Sequence, residues 1–179
     1  SEEVMPMGQS FEGMTEDILC HPRFQELRQY GHHGGKNSLY DHLVDTARQA
    51  YLLADVFGLR EERVRAVTRA ALLHDFFGYN WRSEEHRRQV RQFSGWKRVS
   101  HMHAFIHGAV AADRASRYFD LDDRQRAAIE SHMFPLASLP RNSEAWIVTL
   151  ADKIVAAREM SAALGWRLKR LRYGVPAMQ

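Results

Sequence analysis

Apolar residues return at intervals of three and four along most of the chain, without the every-second-residue alternation of a strand. Leu39, Leu43, Ala47, Ala50, Ala54 and Phe57 trace one face of a helix that Ser38 opens. Ser38 with Asp41 three residues on is a variant of the capping box, and Gly58 is the natural stop. Val64, Val67, Ala71 and His74 mark the next helix, over about 61–76, with the bend expected at the GYNWR break that begins at Gly78. Further helices are expected over about 103–118, about 122–133 and, capped by Asn142 or Ser143, to about 164. The sequence DLDD and then Pro135 and Pro140 separate them. Ahead of these, TEDILCHPRF reads as a short helix from Thr15 that breaks at Pro22, with a second helix to about Tyr30 and then the Gly-rich GHHGGKN. Residues 83–100 are polar and basic, with at most one short helix. The expectation is an all-α, single-domain helical bundle over 15–165, with a loose tail at 1–14 and a basic tail at 166–179.

Composition narrows the class. With 179 residues, 45% of them hydrophobic and 26% charged, the chain can bury one sizeable core. A net charge of +3 favours anionic substrates but is too small to argue for specific nucleic-acid binding. The single cysteine, Cys20, rules out an intrachain disulfide framework and suits a reducing, cytoplasmic setting. No apolar run is long enough to cross a membrane, and SEEVMPMGQ lacks the basic start and apolar core of a signal peptide.

The chemistry lies in polar residues set inside apolar stripes. His42 sits between Leu39 and Leu43, and His74-Asp75 ends the run AALLHD. Asp152 falls between Val148 and Val155 at spacings of four and three. An inward carboxylate is costly unless it is paired or binds a metal. Taken singly, each of these residues has an ordinary structural role: a histidine hydrogen-bonded in a core, an aspartate capping a helix or pairing with an arginine. Taken together, they point to a metal pocket.

The order His42, His74-Asp75, His107, His132, Asp152 resembles the HD-domain superfamily of metal-dependent phosphohydrolases. SLYDHLVDTARQAYLLAD looks like its first-histidine helix, AALLHDFFGYNWR its HD helix, and IVTLADKIVAARE its closing aspartate helix. HAFIHGAVAADRA and AAIESHMFPL resemble the two segments between. The chain is similar to a group of uncharacterised bacterial HD phosphohydrolases with these segments. It departs from the HD-GYP and HDIG forms, since Phe76-Phe77 follow the doublet and MFPLAS follows His132. The resemblance implies a ligand set of His42, His74, Asp75, His107, His132 and Asp152. Six donors crowd a single catalytic ion, so two ions bridged by Asp75 suit them better. His107 is preferred to His103 because GAVAA trails it. His and carboxylate donors without thiolate suit iron or manganese first, with zinc, cobalt or nickel as other candidates.

The expected reaction is hydrolysis of a small phosphate ester, with a nucleotide as the leading candidate. Asp75 and Lys153 carry catalytic roles in this reading, and Lys153, Arg82, His33 and His103 face the substrate. Trp81, Phe76, Phe77 and Tyr79 either wall a base-sized pocket or belong to the core. Arg87, Arg88, Arg91, Lys97 and Arg98 either steer a polyanion or form a solvated face. Two other functions compete: a mixed-valence di-iron oxygenase on the same ligands, and a non-catalytic, metal-stabilised sensor. Whether the chain forms homo-oligomers is left open by the sequence.

Overall fold

The computed structural model describes residues 10–31, 37–77, 88, 91–92, 103–136 and 138–173, with backbone alone at 103–105 and 166–173. Seven α-helices and one 3-10 turn account for most of them: α1 (Phe11–Leu19), α2 (Pro22–Gln25), the turn Glu26–Gln29, α3 (Leu39–Val56), α4 (Glu61–Leu73), α5 (His103–Ser116), α6 (Asp123–Ser131) and α7 (Ser143–Tyr173). Among the described residues the one β-type pairing is an isolated bridge between Gly31 and Ser38. The fold is all-α, as the periodicity requires, and no helix among these residues is long and apolar enough to cross a membrane.

The helix ends follow from local chemistry. Ser38 Oγ accepts from the Asp41 amide (3.2 Å), and the Asp41 carboxylate accepts from the Ser38 amide (2.9 Å). Asp122 and Gln125 repeat this reciprocal cap ahead of α6. Asn142 caps α7 through the amide of Ala145 (2.8 Å). Gly58 ends the α3 connection at φ 64°, a conformation that favours glycine.

Helix α4 is the centre of the bundle. It packs against α1, α3, α6 and α7, and its last residues Ala70, Ala71, Leu72 and Leu73 are wholly buried. Around it, Leu43, Ala47 and Ala50 of α3, Ala111 and Ala115 of α5, Ile129 of α6 and Val148 and Ala151 of α7 complete the core. Arg69, itself buried, docks α1 onto α4 with a bidentate pair to Asp17 (2.5 and 2.8 Å) and a bond to the Met14 carbonyl (3.0 Å). Glu144, at the start of α7, is fully buried and accepts from Arg63 of α4 (2.8 Å) and Arg124 of α6 (3.3 Å). Burial pushes the Glu144 carboxyl up, but the Arg63 guanidinium and nearby donors outweigh it and hold it at about 2.

Several boundaries differ from the sequence expectation. The first helix begins at Phe11 rather than Thr15, and Phe11 and Met14 join the core. The last helix continues past residue 164 to Tyr173. Phe57, expected on the core face of α3, is 59% exposed because the helix ends at Val56. The α4 helix stops at Leu73 rather than near Phe76, with His74 as its cap at helical backbone angles, and the GYNWR break lies outside the described residues.

Candidate metal centre

His74 and His132 occupy the same local position on different helices. Each is the C-terminal cap of its helix, α4 or α6. Each turns its ring back to the carbonyl three residues earlier: His74 Nδ1 to Ala71 and His132 Nδ1 to Ile129, both at 2.7 Å. A carbonyl only accepts, so both rings carry their proton on Nδ1 and present a bare Nε2 to the pocket when neutral. Burial holds the His132 imidazole below its ordinary value and so favours the neutral ring.

Asp75 lies between two groups of donors. Its Oδ2 is 4.0 Å from His74 Nε2, whereas its Oδ1 is 3.3 Å from both His107 Nε2 and His132 Nε2. His42 Nε2 and His74 Nε2 converge on Asp152 Oδ1 at 3.4 and 3.7 Å. The other Asp152 oxygen takes the Lys153 ammonium at 3.0 Å. Behind the pocket, His42 Nδ1 meets Glu159 Oε2 of α7 at 3.2 Å.

The donors fit a metal. Ligand atoms about 2.1 Å from one ion stand roughly 3.0–3.4 Å apart when they are neighbours around it. The shorter separations here fall in that range, including 3.1 Å between His107 Nε2 and His132 Nε2. Among the described residues, two groups can each hold an ion: His42, His74 and Asp75, and Asp75, His107 and His132. His74 Nε2 and Asp75 Oδ1 are buried and make no hydrogen bond of normal geometry. Such atoms are costly in a core and natural around a cation.

Electrostatics agree. Burial pushes the Asp75 carboxyl up, but the charges of His107 and His74 overcome it, and the group is held well below the carboxylate range. Asp152 is likewise held down by His42 and His74 against its burial. For His42, burial lowers the imidazole, but Asp152 and Glu159 more than compensate and raise it to about 9. The cluster draws positive charge to itself.

The structure brings together His42, His74, Asp75, His107, His132 and Asp152, all buried. Lys153 stands at the rim, its side chain 45% exposed, between Asp152 and the Met133 sulfur (3.9 Å). His33 and Arg82 lie outside the described residues, as do Tyr79, Trp81, Arg87, Lys97 and Arg98. His103 opens α5, but its side chain is also outside them. Phe76 and Phe77 are core residues, with the Phe77 ring 6.1 Å edge-on from His107. Arg88 and Arg91 are exposed.

Two further residues shape the centre, one not singled out in the sequence and one noted there only as part of GAVAA. Glu159 follows Asp152 by seven residues, two turns on the same face of α7, and that spacing was the available signal. Gly108 is the other. A Cβ there would stand 2.8 Å from the Glu130 carbonyl oxygen and 3.0 Å from that of Ile129. The missing side chain lets α5 lie directly on the end of α6, which brings His107 to His132.

No curated protein and no solved structure matches this chain significantly. The model of the HD domain family matches residues 39–157, a span that starts with α3 and includes His42, His74, Asp75, His107, His132 and Asp152. The chain therefore belongs to the HD-domain family, whose members are generally metal-dependent hydrolases.

Proposed function

We propose that this protein is a two-metal phosphohydrolase acting on a nucleotide or another small phosphate ester. The observation that carries the reading is the division of Asp75: one carboxylate oxygen faces His74 and the other faces His107 and His132. A carboxylate so divided could serve both groups of histidines, and so help to hold two ions. His42, His74 and Asp152 would hold one ion, and His107 and His132 the other. Iron or manganese suits the donor set first, with zinc, cobalt or nickel as substitutes. Bound there, the ions would supply Lewis acidity, activating water and neutralising charge on phosphate oxygens.

The chain's own groups do the rest. His74 and His132, fixed in one tautomer by helix carbonyls, keep their Nε2 atoms directed inward without rearrangement. Lys153 holds one Asp152 oxygen, and its exposed ammonium is at hand for a phosphate oxygen at the rim. His33, His103 and Arg82 belong to the same proposal as substrate contacts.

Purification without chelator, metal analysis and a panel of nucleotides and phosphate esters test the reading. The expected result is about two ions per chain and metal-dependent phosphate release. Oxygen consumption on an iron-loaded sample, with no phosphate released from any ester, would replace hydrolase by oxygenase.

A further inference from the structure

We infer that Glu159 is a positioning residue that orients His42 as a metal donor; this rests on the metal reading above. His42 has two ring nitrogens and two carboxylates to serve: Nε2 faces Asp152 Oδ1 at 3.4 Å, and Nδ1 faces Glu159 Oε2 at 3.2 Å. A carboxylate at Nδ1 accepts the proton there, so Nε2 is left as the lone-pair donor on the pocket side. The histidines at 74 and 132 get the same service from backbone carbonyls at the ends of their own helices. His42 has no such option. It lies one turn into α3, where the carbonyls are taken up by helix bonding. A side chain from another helix must do the task, and α7 supplies it two turns beyond Asp152. One helix thus contributes both a pocket donor and the group that aims its neighbour. On its outer side Glu159 lines a groove of about 390 Å³ with Asp45, Arg48 and Arg158. The carboxylate therefore stands between that groove and the buried imidazole, whose exposure is 1%.

The experiment is a Co(II) titration of the full chain, followed by visible absorption against a competing chelator, for wild type, Glu159→Gln and Glu159→Ala. Melting curves of the metal-free proteins run alongside. Glu159→Ala should weaken uptake of one Co(II) by about tenfold to a hundredfold, the range for loss of a group behind a metal-bound histidine. The second Co(II), on the His107 side, should bind as in wild type. Glu159→Gln keeps an acceptor of nearly the same shape and should recover part of the loss. Wild-type affinity for both ions in Glu159→Ala would overturn the inference. So would a loss of affinity that Gln does not relieve and that tracks a lowered melting temperature of the metal-free protein, which marks a packing role alone. If wild type takes up no Co(II), the metal reading itself has failed, and the inference falls with it.

Discussion

The two halves of the centre are held by different means. Around His42, His74 and Asp152, every donor has a partner behind it: Glu159, the Ala71 carbonyl and Lys153. The helices that carry them, α3, α4 and α7, also pack on one another directly. Around His107 and His132 the described placement comes from a helix end and from backbone packed on backbone. One ring-to-carbonyl bond fixes His132, and one close backbone approach at Gly108 sets the distance to His107. Packed side chains can shift to absorb a disturbance, whereas backbone laid on backbone has little room to give. The half built on α5 and α6 should therefore be the more sensitive to volume added at Gly108.

The severest way to erase the contrast is Asp75→Ala, which strikes the residue common to both halves. Metal content and phosphate release should both fall to background, and full metal occupancy in that variant would refute a centre built on Asp75. One step smaller is His132→Ala or His107→Ala. Either should lower the metal content from about two ions to about one per chain and depress turnover strongly. Retention of both ions and full turnover by the double variant would reduce these histidines to structural residues. Chelation should lower the melting temperature by several degrees, because buried donors lose the cation that compensates them. An unchanged melting curve with the metal verifiably gone would argue against a buried centre.

Two gentler changes sharpen the comparison. Gly108→Ala forces a Cβ against two backbone carbonyls, at an expected cost of about 1–3 kcal/mol. It should loosen the ion on the His107 side while the His42 side keeps its own; equal loss from both halves would mean that α5 and α6 are not a separable unit. Glu144→Gln acts on the scaffold beneath both. With its folded value at about 2 against an ordinary 4.5, the Glu144 carboxylate contributes stability that is complete above pH 4.5 and is lost as pH falls toward 2. Urea midpoints of wild type should fall across that acid window, and the Gln variant should show a smaller fall. Identical acid profiles would remove Glu144 from the account.

Much of this arrangement was legible in the chain because it depends on periodicity. His42 within Leu39–Leu43 and Asp152 between Val148 and Val155 had to face inward, and both are buried. The Ser38 cap and the Gly58 stop were legible for the same reason, since each is decided within four residues. The end of α4 was harder. Helical spacing continues through His74, yet the helix stops at Leu73, because the His74 ring takes the Ala71 carbonyl and the doublet turns toward donors distant in sequence. Phe57 failed as a core residue for a related reason: one residue past the helix end, its place on the stripe no longer determines its direction. Glu159 and Gly108 act through other helices, and a single sequence does not say which helix will be the neighbour.

Helices α4 and α6 both finish at this centre, each with a histidine as its last cap. A helix end of that polarity carries about half a negative charge in its outward carbonyls. Added to Asp75, Asp152 and Glu159, the two ends favour positive charge in the pocket, the same bias that raises the His42 imidazole. A phosphate ester should therefore bind better once metal cations add to that positive charge, so the direction of the two helices bears on substrate as well as on metal. Inorganic phosphate should bind measurably to the metal-loaded protein and not to the stripped one.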